Sequence, residues 1–220
     1  MRAKQPLDTY LADYRHKHDG FHDLLWAFRL VEENFDCRRV LYPGSYLHVT
    51  PSLVFPEVCY VDSVKGIAAA LASHDLLEYL SGHREYSENP RIWCYEEDYA
   101  RFDSEPHVSF DLLISLNAGF VSQACRSFLK PGGLLLANNG HYDAARAQVD
   151  PGYRLVGALD GGSLLLDSSH PDLSSHFRTA KGEALTLEMV EADAKRPPSR
   201  ARFMPSREME AYLFQLAPIK

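Results

Sequence analysis

The 220-residue chain is long enough to bury one large core, and its hydrophobic fraction of 45% and charged fraction of 24% are those of an ordinary globular protein. Its formal net charge of −7 argues against a broad basic surface, so we do not expect duplex nucleic acid as a partner. No apolar run approaches the roughly 20 residues that cross a bilayer, and the N-terminus lacks the apolar core of a signal peptide, which predicts a cytoplasmic protein without membrane contact.

Residues 1–37 are predicted to form helices that cover one edge of a sheet. Apolar side chains recur there at helical spacing, namely Leu7, Tyr10, Leu11 and Tyr14, and then Phe21, Leu24, Leu25, Phe28 and Val31. His16, His18 and His22 form an H-x-H-x3-H pattern in the same part. No carboxylate motif or distant ligand completes a metal site, so we interpret these histidines as a polar helix face and predict no metal.

Residues 38–150 alternate strands with helices. Apolar runs predict strands that begin near residues 39, 58, 91, 110 and 133. A helix from Val64 to Leu80, ended by Gly82, follows the second strand, and a helix from Phe120 to Leu129 follows the fourth. Only Tyr99 to Ser109 separates the third and fourth strands, so any helix there must be very short. Because parallel strands need crossover connections, this alternation predicts a parallel sheet of the α/β class.

Residues 151–220 have a different pattern. Two apolar runs around Asp160-Gly-Gly162 predict an antiparallel hairpin, followed by a helix over residues 183–194 and a final strand over residues 210–216. The one basic concentration in the chain consists of Lys195, Arg196, Arg200, Arg202 and Arg207. It is interpreted as a solvated linker, with an anionic substrate or partner as the alternative. The three parts together are predicted to form a single domain over residues 1–220.

The four cysteines are Cys37, Cys59, Cys94 and Cys125. They include no C-x-x-C pair, which argues against structural zinc, and three of them lie in or beside apolar runs. The pattern predicts buried, reduced thiols.

The strongest functional signal pairs Tyr42-Pro-Gly-Ser45 with Asp62. A strand that stops in a turn containing glycine lets the backbone approach a ligand, and doubly wound sheets bind ligands at the carboxyl ends of their strands. Asp62 ends the next strand, 18 residues after Gly44, where an acidic residue accepts hydrogen bonds from a ribose diol. The pairing therefore indicates a cofactor that contains a nucleoside. The alternative is that Gly44 only makes a turn and Asp62 only caps the following helix.

Over residues 38–160 the chain resembles the class I S-adenosylmethionine-dependent methyltransferases. The motifs that carry the resemblance are Tyr42-Pro-Gly-Ser45, Asp62, Glu97-Asp98-Tyr99, Phe110-Asp-Leu-Leu-Ile-Ser-Leu116 and Leu129-Lys-Pro-Gly-Gly-Leu134. The resemblance implies a Rossmann-like three-layer sandwich with a mostly parallel seven-stranded sheet, in the order 3-2-1-4-5 plus antiparallel C-terminal strands.

The same resemblance implies S-adenosylmethionine as cofactor and assigns roles to residues. Tyr42, Pro43, Gly44 and Ser45 would pass its methionine part, Asp62 would hold its ribose, Asp98 and Tyr99 would contact its adenine, and Asn117 would flank both cofactor and substrate.

Catalytic residues are predicted on the rim formed by the fourth and fifth strands. Methyl transfer depends mainly on positioning, and a base is needed only when the acceptor must lose a proton. His141 is the best candidate base, Asn117 lies on the same rim, and His48 in the first loop is a weaker candidate. Asn117-Ala-Gly-Phe120 is not the Asn-Pro-Pro-aromatic motif of base or glutamine amino methylation. The expected acceptor is therefore a small molecule or a protein side chain.

Two other functional classes remain open. The first loop carries a single glycine, with Tyr46 where a small residue is usual, which leaves open a methyltransferase-like protein that binds a ligand or partner without catalysis. A nucleotide-dependent oxidoreductase is less favoured, because no G-x-G-x-x-G fingerprint follows the first strand.

Overall fold

A computed structural model of the chain describes residues 5–16, 23–167, 169–179, 181–196 and 209–218. The strands are β1 (Arg39–Pro43), β2 (Glu57–Val61), β3 (Arg91–Tyr95), β4 (Phe110–Ser115), β5 (Leu129–Ala137), β6 (Tyr153–Asp160), β7 (Ser163–Leu166) and β8 (Ala211–Leu216). The α-helices are α1 (Pro6–Tyr10), α2 (Leu25–Asn34), α3 (Pro51–Val54), α4 (Ile67–Leu71), α5 (His74–His83), α6 (Val121–Ala124), α7 (Asp143–Gln148) and α8 (Leu187–Ala194). A π-helical segment spans Leu11–Arg15, and 3₁₀ segments span Tyr99–Arg101, Arg126–Phe128 and Pro171–Phe177.

The strands form one sheet in the order β3-β2-β1-β4-β5-β8-β6-β7. Neighbours among β1 to β5 are parallel, whereas β8, β6 and β7 pair antiparallel. The predicted order 3-2-1-4-5 with antiparallel C-terminal strands is confirmed. The predicted count of seven was wrong by one, because both arms of the hairpin join the sheet. Leu164 and Leu165 of β7 pack against opposite faces, so this last strand extends both cores.

Each face of the sheet has its own hydrophobic core, as expected of a three-layer sandwich. Successive residues of β1 alternate between them: Val40 and Tyr42 face one core and Leu41 faces the other. The first core contains buried residues of α2, α3, α4 and α5, and the second contains buried residues of α6, α7 and α8. Burial on both sides explains why β1, β2 and β4 are continuous apolar runs in the sequence.

Two predicted helices are divided. The helix expected from Val64 to Leu80 is two helices, α4 and α5, because the backbone at Ser73 is extended, and α5 continues through Gly82 to His83. The helix expected from Phe120 to Leu129 is the single turn α6 followed by a 3₁₀ turn, because Leu129 already begins β5.

The crossover from β3 to β4 contains only the 3₁₀ turn at residues 99–101, as predicted. Glu105 fastens this short connection to the sheet. Its carboxylate accepts hydrogen bonds from Trp93 Nε1 at 2.7 Å and the Tyr95 hydroxyl at 2.9 Å, and it pairs with Arg39 at 2.6 Å. Glu105, through these three polar contacts, holds the loop against the sheet, a role that a crossover helix has in the other connections.

All four cysteines are free; Cys37, Cys59 and Cys125 are buried as predicted, whereas Cys94 is partly exposed. Within the described part of the chain, no helix has the length and apolar character of a membrane span. The same residues contain no group of three or more potential metal ligands. His18, His22, Arg200, Arg202 and Arg207 lie outside the described residues.

Candidate functional site

The strand order reverses between β1 and β4, and a cavity of about 210 Å³ lies at the carboxyl ends of these strands and β5. The residues that line it include the aromatic Tyr14, Tyr42, Tyr46 and His48 and the amide residues Asn117 and Asn138. Pockets for drug-sized ligands are usually about 300–1,000 Å³. The cavity therefore has room for part of a cofactor-sized ligand, and the remainder would lie on the adjacent rim.

Asp62 follows β2 directly beside this cavity. Its Oδ2 accepts a hydrogen bond from the Tyr46 backbone N–H at 2.8 Å, and its Oδ1 accepts one from the Val64 N–H at 2.9 Å. The carboxylate thus joins the first loop to the turn after β2, and the capping interpretation of Asp62 is part of its role. A carboxylate has about four acceptor positions, so two remain for a ligand.

Tyr46 and Val64, the two donors to Asp62, have exposed side chains. The two residues are 42% and 45% exposed, and they are two of the four large hydrophobic residues that are exposed in the described part of the chain. Covering either side chain by a ligand would remove apolar surface from water. The arrangement suits a ligand with a polar edge and an apolar ring.

The rim beside Asp62 is acidic. Glu96, Glu97 and Asp98 follow β3, so four carboxylates lie at the ends of two adjacent strands. Glu96 accepts from the Gly66 N–H at 2.8 Å, and Asp98 accepts from the Ala100 N–H at 3.0 Å. This negative field favours a cationic ligand and disfavours one that carries phosphates.

Gly44 and Tyr99, both predicted to touch cofactor, are engaged with the loop after β4. Gly44 has φ +67°, and a Cβ built on it would overlap the Cβ of Ala118. The Tyr99 hydroxyl donates to the Ala118 carbonyl, and burial raises the Tyr99 pKa. The loops after β1, β3 and β4 are therefore in contact with one another on the side of the sheet that carries α6. Gly44 also lines the cavity, so a ligand can contact it from there.

Of the other first-loop residues, Tyr42, Pro43 and Ser45 are buried, and Tyr42 and Ser45 line the cavity. The contacts predicted for them with the cofactor remain predictions, as do those of Asp62, Asp98 and Asn117.

His48 is buried and has both ring nitrogens occupied. Nε2 lies 2.8 Å from the Asp23 carbonyl, which can only accept, so Nε2 carries the proton. Nδ1 therefore accepts from the Tyr42 hydroxyl at 2.8 Å. Burial lowers the pKa of His48 to about 4, so the ring is neutral at physiological pH. With no free lone pair, His48 is a structural residue of the loop, and the weaker prediction that it acts as a base was wrong.

The buried imidazole predicts a pH dependence of stability. Because the His48 pKa is about 4 when folded and about 6.5 when unfolded, the unfolded state binds more protons between these values. Acidification from pH 6.5 to 4 should therefore remove up to about 3 kcal/mol from the free energy of unfolding. His48→Gln, which does not titrate, should show a correspondingly shallower loss. Urea denaturation across this range tests it, and parallel curves for the two proteins would contradict it.

The N-terminal segment forms the outer wall of the cavity, which was not predicted. The Tyr14 ring stacks on His48 with centroids 4.7 Å apart. Arg15 forms an ion pair with Asp23, whose side chain is 1% exposed and whose Oδ1 accepts from the Leu25 N–H at 2.9 Å. An aspartate just before an apolar helix, such as Asp23, is a residue that sequence reasoning can predict to cap the helix. Its ion pair with Arg15 cannot be predicted from any sequence pattern.

Asp143 is a second buried carboxylate that was not predicted. It accepts hydrogen bonds from the Ser115 hydroxyl at 2.5 Å, from the Ser122 N–H at 2.9 Å and from the Ser122 hydroxyl. Burial raises its pKa even though these bonds oppose the rise. The network ties the end of β4 and the start of α6 to α7, and so fixes both ends of the loop that carries Asn117.

His141 lies in the exposed turn between β5 and α7, two residues before Asp143. It is on the predicted rim but is not among the residues that line the cavity. Its proposed role as a base would need an acceptor that extends out of the cavity.

No protein-family model and no curated protein matches the chain. Among solved structures, the N-methyltransferase NodS from Bradyrhizobium japonicum in complex with S-adenosyl-L-homocysteine is 13% identical, with 94% of this chain and 90% of that chain covered and a TM-score of 0.44. A SAM-dependent methyltransferase from Methanosarcina mazei is 12% identical, with 86% and 98% covered and a TM-score of 0.43. The cyclase SpnF is 14% identical, with 90% and 82% covered and a TM-score of 0.41.

The first two structures are named as methyltransferases, which is the enzyme class that the sequence motifs resemble. The third is named as a cyclase. Because one fold supports several chemistries, function has to be argued from the site.

Proposed function

We propose that the protein binds S-adenosylmethionine and transfers its methyl group to a small molecule or a protein side chain. The observation that carries the proposal is the hydrogen bond from the Tyr46 N–H to Asp62. It places a carboxylate with free acceptor positions next to an aromatic cavity, so a ligand with a diol at one end and a cation at the other would be held at both ends.

The residues present fit this cofactor. Asp62 would accept from the ribose hydroxyls, the exposed Val64 side chain would cover the nucleoside ring, and Asp98 would lie at its outer edge. The aromatic side chains of Tyr14, Tyr42 and Tyr46 line the cavity, and aromatic rings attract cations. The four carboxylates at the ends of β2 and β3 disfavour the phosphates of a dinucleotide beside them, which argues against an oxidoreductase.

When bound, the cofactor supplies a methyl group activated by a positively charged sulfur. The chain's own contribution is positioning and exclusion of water. Tyr14 and Tyr46 both line the cavity, while the contacts among Gly44, Ala118 and Tyr99 hold the loops that surround it. His48 keeps Tyr42 fixed and takes no proton itself, because both of its nitrogens are engaged. Acidic composition supports a small-molecule or protein acceptor in preference to duplex nucleic acid.

Asp62→Asn should weaken S-adenosylmethionine binding roughly tenfold to a hundredfold, because charge-assisted hydrogen bonds contribute about 1.5–3 kcal/mol. Calorimetric titration with S-adenosylmethionine, S-adenosylhomocysteine and NAD measures this. Glu97→Gln, which removes a charge from the same rim, is the matched control and should change affinity less than threefold. Asp62→Ala is a poorer test, because it leaves both the Tyr46 and the Val64 N–H groups without an acceptor, whereas the single oxygen of Asp62→Asn still accepts from one of them.

If wild-type protein binds neither S-adenosylmethionine nor S-adenosylhomocysteine, the proposed function is wrong. Equal losses of affinity in Asp62→Asn and Glu97→Gln would instead show that Asp62 acts only through its charge. Thermal melts of all three proteins separate lost affinity from lost folding.

A second candidate is a ligand-binding protein that does not catalyse methyl transfer. The observation in its favour is that His48 cannot accept a proton and that His141 lies outside the cavity. The two functions differ in one measurement: a catalyst forms S-adenosylhomocysteine in the presence of its acceptor, whereas a binding protein leaves S-adenosylmethionine unchanged.

A further inference from the structure

The polar wall of the cavity is a pair of amides whose orientation is fixed by the backbone. The Asn117 backbone N–H lies 3.1 Å from one atom of the Asn138 amide, which must be the oxygen because an N–H can only donate. The Asn138 nitrogen is then the atom 3.0 Å from the Asn117 side chain, and its partner there must be the Asn117 oxygen. The usual ambiguity between amide nitrogen and oxygen is thereby removed.

This orientation decides what Asn117 offers a ligand. Its Oδ1 is bonded to Asn138 and faces Gly140 so closely that a Cβ there would overlap it. Its Nδ2 carries two N–H donors and has no acceptor in the part of the chain that the structure describes, where Asn117 is exposed. At the mouth of the cavity Asn117 therefore presents two hydrogen-bond donors on Nδ2, while its Oδ1 is bonded to Asn138 and crowded by Gly140.

The other polar groups of the cavity offer no base. The Tyr42 hydroxyl donates to His48, His48 has both nitrogens engaged, and the Ser45 hydroxyl donates to the Tyr46 carbonyl at 3.2 Å. A neutral alcohol or an ammonium group would have to lose a proton during methylation, and none of these groups is placed to take it. Asp62 beside the cavity already accepts two backbone hydrogen bonds, and its remaining acceptor positions are assigned to the ribose. A carboxylate is already ionised at neutral pH and accepts hydrogen bonds from amide donors.

We propose that Asn117 determines specificity by binding a carboxylate, which makes the methyl acceptor a small carboxylic acid; this rests on the methyl-transfer function proposed above. Methylation of a carboxylate forms an O–C bond, breaks the S–C bond, leaves that electron pair on sulfur and releases no proton. The acidic rim does not prevent this. Asn117 follows β4, two strand spacings or roughly 10 Å from Asp62 after β2, a distance at which salt screens charges strongly.

Benzoate and benzylamine provide a matched pair of probes, because both have an aromatic ring and they differ in the charge and hydrogen bonding of the head group. Calorimetric titration of the wild-type protein, with and without S-adenosylhomocysteine, should show benzoate binding at least tenfold more tightly than benzylamine. Asn117→Asp keeps the oxygen that Asn138 needs and replaces the donor nitrogen by an acceptor. It should weaken benzoate at least tenfold and strengthen benzylamine.

Asn139→Asp is the control for charge. Asn139 is on the same rim, does not line the cavity, and uses its Oδ1 to cap the Ala145 N–H at 3.1 Å, a contact that aspartate retains. It should leave both affinities within about threefold of wild type. Asn117→Gly is compatible with the backbone at φ +57° and should weaken benzoate without improving benzylamine.

The proposal is overturned if wild type prefers benzylamine, if it binds neither probe, or if Asn117→Asp and Asn139→Asp lower benzoate affinity equally. The failure of the proposed function is a separate outcome. In that case S-adenosylhomocysteine does not bind, while benzoate still binds through Asn117.

Discussion

Gly44→Ala should lower the free energy of unfolding by about 2–5 kcal/mol. The residue has φ +67°, and a side chain in this left-handed region costs about 1–2 kcal/mol. Its Cβ would also overlap the Cβ of Ala118, and overpacking a filled site costs about 1–3 kcal/mol. Urea denaturation monitored by circular dichroism measures the total. The loss of stability should be accompanied by weaker ligand binding, because Gly44 also lines the cavity.

Two variants separate the backbone contribution from the overlap. Gly66 has φ +83°, and a Cβ added to it would meet no atom within 4 Å, so Gly66→Ala should lose only the backbone contribution of about 1–2 kcal/mol. In an Ala118→Gly background, Gly44→Ala should cost the same smaller amount, because the overlapping methyl is gone. If Gly44→Ala costs no more than Gly66→Ala in the wild-type background, the close packing of the two loops is refuted.

Asp143→Ala should cost about 2–5 kcal/mol of stability, because each buried donor left without an acceptor costs about 1–3 kcal/mol. Three donors, which are the hydroxyls of Ser115 and Ser122 and the Ser122 N–H, would lose their acceptor inside the protein. Asp143→Asn should cost less, because its carbonyl oxygen still accepts and its nitrogen can donate to a serine hydroxyl.

Asp98→Ala is the matched comparison for this change. Asp98 also accepts from a backbone N–H, but its side chain is 43% exposed, so water replaces the lost bond and the cost should be about 1 kcal/mol. Chemical denaturation of both alanine variants gives the comparison. Equal destabilisation would mean that burial of Asp143 contributes nothing beyond an ordinary turn cap.

The sheet could be predicted because its information is local. Each of β1, β2 and β4 is a short apolar run that ends at a turn or polar residue, and Asp62 stands out because it follows such a run directly. The division of the helices could not be predicted from the spacing of apolar residues. Ser73 falls between the apolar positions and does not interrupt their helical spacing. Likewise the apolar character of Leu129 fits a helix as well as the start of β5, and only pairing with β4 decides between them.

The site was predicted only in part because its remaining contacts join distant segments. Asp62, Gly44 and Asn117 lie at strand ends, where topology alone brings them to one rim. The placement of Tyr14 depends on the ion pair between Arg15 and Asp23 and on stacking against His48, and the role of Gly44 depends on the side chain of Ala118. Such pairings are properties of the packed structure, and no spacing in one sequence reveals them.

The pairing of β1 with β4 has a consequence for the order in which the chain folds. Val40 pairs with Leu112, and the residues that line the cavity extend from Tyr14 to Asn138, so the cavity needs contacts between residues far apart in sequence. Contacts of this kind form slowly, because a long loop must close before they add any stability. The cavity therefore does not exist until the central strands have come together. A ligand of this cavity would therefore slow unfolding of the native protein without accelerating its refolding.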